Sequence, residues 1–125
     1  MQQLLNSHTP EYQKILLLTN LMKIDGFSDR SEKAFIEAYI AQYTFEPEAL
    51  NSLKEAIQNP QMAEVNLEII KQHPSEAKAT LVLMVALSRE DGTVHELEKK
   101  YIYEICQVLG FDKREVDNHF NGITC

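Results

Sequence analysis

The chain predicts an all-α fold of about seven helices arranged as a pseudo-twofold bundle, on three observations. Apolar residues recur at spacings of three and four rather than two, the period of helices with one buried face. Gly and Pro stand only at the edges of these periodic segments, where they start, stop or turn a helix. Sliding the chain by 66 residues lays 17–50 on 83–116 without a gap, so a helix, an Asp-Gly turn, a longer helix, a link and another helix occur twice.

Each element has its own signal. Thr9 before Pro10 opens the first helix, with Tyr12, Ile15, Leu16, Leu18 and Met22 inward, and it should stop near Ile24. A second is expected from about Asp29 to Tyr43, with Phe35, Ile36, Tyr39, Ile40 and Tyr43 inward. Pro47 opens a third carrying Leu50, Leu53 and Ile57; Asn59 before Pro60 ends it, because the residue preceding Pro is pushed out of the α region. Residues 62–72 make a short fourth helix around Val65, Ile69 and Ile70, which Pro74 closes. The fifth, about Ser75 to Arg89, is apolar on most sides through ATLVLMVAL, the pattern of a central helix. The sixth runs from about Glu96 to Leu109 with Leu97, Tyr101, Ile102, Ile105, Cys106 and Leu109 inward, and Gly110 ends it. A last short helix covers about Lys113 to Phe120.

The repeat matches core position to core position. Leu17 and Leu21 fall on Leu83 and Leu87; Phe35, Tyr39 and Tyr43 fall on Tyr101, Ile105 and Leu109; Phe45 falls on Phe111. Repeat one covers about 12–58 and repeat two about 75–121, within one domain spanning 1–125.

Composition narrows the function. A formal charge of -7 with no basic patch argues against nucleic acid and anionic membrane as direct partners. The apolar runs at 15–18 and 81–87 are far too short to cross a bilayer, and the first residues lack a basic, then apolar, leader, so a cytoplasmic protein without membrane insertion is expected. Two cysteines make no disulfide framework: Cys106 lies on an apolar stripe and Cys125 is the last residue. No G-x-S-x-G or P-loop occurs, and His8, His73, His95 and His119 share no ligand spacing, so no enzyme is expected.

The duplicated stretches IDGFSDRSEKAFI (24–36) and EDGTVHELEKKYI (90–102) admit two readings. In the first they only turn and cap. Gly26 and Gly92 reverse the chain after a helix, Lys23 and Arg89 suit its C-terminal end, Asp29 with Glu32 forms a capping box, and in the second copy His95 precedes Glu98 while Thr93 with Glu96 offers another box. In the second reading the surplus carboxylates hold a hard divalent cation: Asp25, Glu32, Asp91 and Glu98, with Asp29, Glu90, His95 and Glu96 as accessories. An EF-hand is excluded, because its first two ligand positions would be Leu21 and Lys23 in one copy and Leu87 and Arg89 in the other.

The segments LMKIDGFSDRSEKAFI and LSREDGTVHELEKKYIYEICQVLGFD resemble the repeated helix, Asp-Gly loop and helix units of the TerB-like tellurite-resistance family, a fold also seen in the membrane-proximal region of certain DnaJ-type co-chaperones. The second copy is the closer in pattern; the first carries Ser28 where the second has Val94. The resemblance spans about residues 12–117. It implies a two-repeat helical module without established catalysis, acting in a stress-response setting, with an acidic surface linked to metal ions and membrane-associated complexes. Its signature positions are Asp25, Glu32, Asp91 and Glu98. Two functions follow as expectations: an interaction module whose acidic face docks a protein partner, or a binder of calcium, magnesium, manganese or zinc through the Asp-Gly loops.

Overall fold

A computed structural model describes residues 4–24, 30–89 and 96–121. Among them are seven helices: α1 (Pro10–Lys23), α2 (Arg30–Ala41), α3 (Pro47–Gln58), α4 (Leu67–Lys71), α5 (Pro74–Ser88), α6 (Glu96–Leu109) and α7 (Lys113–Phe120). The described residues hold no strand beyond an isolated bridge between Leu5 and Phe45, where the N-terminal segment is tied down by Leu5 N–H to Thr44 C=O at 2.9 Å and Glu46 N–H to Leu5 C=O at 2.8 Å. The starts of α3 and α7, residues 47 and 113, keep the offset of the sequence repeat.

The centre of the bundle is α1. Every residue from Tyr12 to Met22 is buried, and the helix packs against α2, α3, α4, α5 and α6. Its polar positions survive burial because each has a partner. Thr19 donates to the Ile15 carbonyl at 2.8 Å; Gln13 donates to Ser7 C=O at 2.8 Å and accepts from Asn66 N–H at 2.9 Å. α5 also touches many neighbours, namely α1, α2, α4, α6 and α7, as its apolar sequence predicts, but Val82 on it remains 47 % exposed.

Several expected boundaries move, each for a local reason. α4 starts at Leu67 rather than near residue 62, because the backbone before it is held in an irregular path by α1: Asn20 accepts from Ala63 N–H at 2.7 Å and donates to Ala63 C=O at 2.8 Å. Asn66 then caps the helix by accepting from Glu68 N–H. Pro74 does not close α4; it is the first residue of α5, where its missing N–H costs nothing. α2 ends at Ala41, its last turn tightened by Gln42 N–H to Tyr39 C=O and Tyr43 N–H to Ile40 C=O. On α6 the buried stripe runs through Glu98, Ile102, Cys106 and Leu109, so Leu97, expected inward, is turned out and 56 % exposed.

The end of α6 is as expected. Gly110 adopts φ +97°, Phe111 N–H reaches back to Cys106 C=O at 2.9 Å and Gly110 N–H to Gln107 C=O at 3.2 Å, a Schellman closure. Asp112 caps α7 by accepting from Glu115 N–H at 2.8 Å.

Candidate functional site

Of the four signature carboxylates, Glu32 and Glu98 lie among the described residues. Each is in the first turn of its helix, α2 and α6 respectively, and each is almost wholly buried, 3 % and 1 % exposed. The helix dipole favours a negative charge there, and a carboxylate so buried must be met by donors or cations. Asp25 and Asp91, and the accessory Asp29, Glu90 and His95, lie outside the described residues; Glu96 is exposed at the start of α6. The described residues bring no three His, Cys, Asp or Glu side chains together as a metal site.

Cys106 is on the buried stripe of its helix, as its apolar neighbours predict. Cys106 is fully buried in α6, and burial pushes its thiol up to about 12, which removes the thiolate at neutral pH. His8 and His73 are exposed and His119 half-buried. Tyr39 is buried, and Tyr43 and Tyr101 are half-buried on the core.

The structure adds a polar cluster absent from the sequence reading. Lys14 on α1 is 3 % exposed; its Nζ meets Glu76 on α5 at 2.5 Å and lies 5.7 Å from the Tyr39 ring centroid. Beside it, Tyr43 donates to the Tyr39 hydroxyl at 3.2 Å, and that bond, with burial, pushes the Tyr43 phenol up to about 12. Neutralised by Glu76, the ammonium ties α1 to α5.

Two surface grooves among the described residues combine an apolar floor with charged side chains. One, of about 690 Å³, runs along α1, the 63–66 link, α4 and α6. Tyr12, Leu16, Val65 and Leu67 give it an apolar floor, Glu64 and Glu68 are exposed carboxylates on it, Val108 stands half exposed at one edge, and none of the described lining residues is basic. The second, of about 530 Å³, lies between α2 and α3 and carries Lys33 and Lys54. Glu64 and Glu68 escaped the sequence reading, although the spacing in AEVNLEII, two glutamates four apart around Val65 and Leu67, was the signal for an acidic edge on an apolar strip.

Fold and signature together define an all-helical module with buried carboxylates at the start of its α2 and α6 helices. The family model described as tellurite resistance protein TerB matches residues 12–119, and the chain belongs to that family. No curated protein and no solved structure matches the chain in the corresponding comparisons. No helix among the described residues is long and apolar enough to cross a membrane.

Proposed function

We propose that this protein is a non-enzymatic interaction module of the TerB family, acting in the cytoplasm as an adaptor in a stress response, and that it docks a basic partner segment through an acidic surface. The observation that carries this reading is the 690 Å³ groove, in which an apolar floor of Leu16, Val65 and Leu67 is combined with Glu64 and Glu68 and, among the described residues, no basic side chain. A helix with an apolar stripe flanked by Lys or Arg fits that chemistry: the stripe drives burial while the carboxylates select charge and register. A membrane-associated complex could present such a segment at its cytoplasmic edge, where basic residues concentrate. The module is one domain of two related halves in this reading.

The test is charge reversal. Glu64→Lys with Glu68→Lys changes only exposed side chains, so the fold and its melting temperature should be kept while binding of a basic amphipathic peptide falls tenfold or more. Undiminished binding by the folded variant would remove the groove from the account.

Divalent-cation binding by the Asp-Gly loops is the second reading, favoured by the burial of Glu32 and Glu98 at the same position of their two helices. Asp25, Glu32, Asp91 and Glu98 would supply oxygen ligands to calcium, magnesium or manganese, with zinc the less natural guest for carboxylates alone. An ion that binds only the native state raises its melting temperature. A rise in millimolar cation that Asp91→Asn with Glu98→Gln abolishes, in a variant that still folds, would establish this reading; no rise with any of the four ions would eliminate it.

A further inference from the structure

The two halves of the chain treat one corner of the bundle differently. In the second half, Phe120 at the end of α7 stacks on Tyr103 of α6, with ring centroids 5.8 Å apart and planes 23° from parallel. Lys99 lies over the same ring, its Nζ 5.5 Å from the Phe120 centroid. This is an aromatic plug with a cationic lid, an arrangement that stacking and cation–π attraction both favour.

In the register of the repeat, Lys99 corresponds to Lys33 and Tyr103 to Glu37, and the same offset carried one turn further along α3 and α7 sets Phe120 against Lys54. The framework is retained, since Phe111 corresponds to Phe45 and Val116 to Leu50, and α3 and α7 start in register. The first half therefore keeps the cationic lid and has lost both rings of the plug. Between α2 and α3 there is instead the open groove of about 530 Å³, floored by Tyr43, Phe45, Leu50 and Ile57 and carrying Lys33, Lys54 and Glu37. The α6–α7 corner also has a cavity, about 450 Å³ beside Tyr103 and Phe111, but neither Lys99 nor Phe120 lines it. What is open in the first half and closed in the second is thus the volume around the lid lysine.

We propose that the α2–α3 groove is a second docking site, which receives an aromatic side chain of a partner protein in a segment whose flanking residues are acidic. The ring sits beneath Lys33, the counterpart of the lid lysine, on the apolar floor that Tyr43 and Phe45 provide. The acidic flanks answer Lys33 and Lys54, which among the described lining residues are two cations against the single carboxylate of Glu37, on a chain whose formal charge is -7. This site is independent of the acidic groove on α1 and α4, and opposite to it in charge preference.

The probe is the blocked pentapeptide acetyl-Asp-Glu-Phe-Glu-Asp-amide, titrated into the full chain and followed by amide and methyl NMR. The proposal expects saturable shifts at Lys33, Tyr43, Phe45 and Ile57, affinity lower by tenfold or more when Ala replaces the Phe of the peptide, and at least threefold weaker binding by Lys33→Ala. The double change Glu37→Tyr with Lys54→Phe rebuilds the plug and should abolish the shifts. Lys54→Phe alone should raise the melting temperature by about 3 °C, a ring having entered the groove from within. Equal binding of the Ala peptide, no shift at these residues at several millimolar, or a Lys54→Phe protein no more stable than the parent would overturn the proposal. So would groove shifts produced by phosphatidylglycerol vesicles and not by the peptide, or self-association that the rebuilt plug abolishes, which would assign the groove to lipid or to a second copy of the chain.

Discussion

Single polar residues inside α1 carry much of what makes this bundle specific. Asn20 is 3 % exposed, holds both backbone groups of Ala63 and donates to the Tyr101 hydroxyl at 3.3 Å. Asn20→Ala strands an N–H and a C=O in a partly buried link and should cost about 2 kcal/mol in urea unfolding, with hydrogen exchange of Ala63 accelerated. Gly110 is a second such position: with φ +97° and nothing within 4 Å of an added Cβ, Gly110→Ala meets no clash and only backbone strain. Its cost should be about 1 kcal/mol by the same measurement. Cys106, held protonated by burial, should resist alkylation at pH 8 in folded Cys125→Ser protein and react on unfolding; rapid reaction in the native state would contradict its placement. The roles of Gly110 and of buried Cys106 could be read from the residues themselves. That of Asn20 could not, because its partner lies 43 positions away in a segment that reads as helix by periodicity alone.

At the scale of elements, the helix count and most of the boundaries were readable from apolar spacing and from Thr9, Pro47 and Gly110. The centrality of α1 was not. Gln13, Lys14, Thr19 and Asn20 give it the look of a helix with a solvated face, and only the tertiary partners of those side chains show why they are inside. The Lys14–Glu76 pair is the clearest case, since it joins α1 to α5 across the repeat boundary. Removing Glu76 leaves a buried ammonium without its counter-charge, and Glu76→Ala should cost about 2 kcal/mol, the loss moderated because the carboxylate is 29 % exposed. Lys14→Met with Glu76→Leu removes both charges and keeps bulk, so it should be nearly neutral. Chemical denaturation of the two variants checks the order, which simple counting of salt bridges would not give. Leu97 turned outward by the inward Glu98 has the same origin: a carboxylate took a core position on the stripe.

For the whole molecule, burial of acids that ionise at high pH sets an alkaline limit. Cys106, Tyr43 and Tyr103 are each pushed up to about 12, Cys106 and Tyr103 first by burial and Tyr43 first by its hydrogen bond to Tyr39; Tyr103 also donates a hydrogen bond to Asp117. Their folded values exceed their unfolded ones, so between about pH 9 and 12 the unfolded chain gives up protons that the native state retains. Stability from these groups is complete below about pH 8 and falls as pH rises through that window, which melting curves from pH 7 to 11 should trace. Family membership was legible from the duplicated Asp-Gly pattern, whereas the grooves were not, being made by residues from separate helices. The account turns on whether the acidic groove docks a basic segment without metal. The direct measurement is an NMR titration of the chain with a Lys-rich amphipathic helical peptide in the presence of EDTA. The account predicts shifts centred on Leu16, Val65, Leu67 and Val108 that weaken as salt is raised; no shifts at those residues, or shifts that need a divalent cation and centre on Glu98, would contradict it.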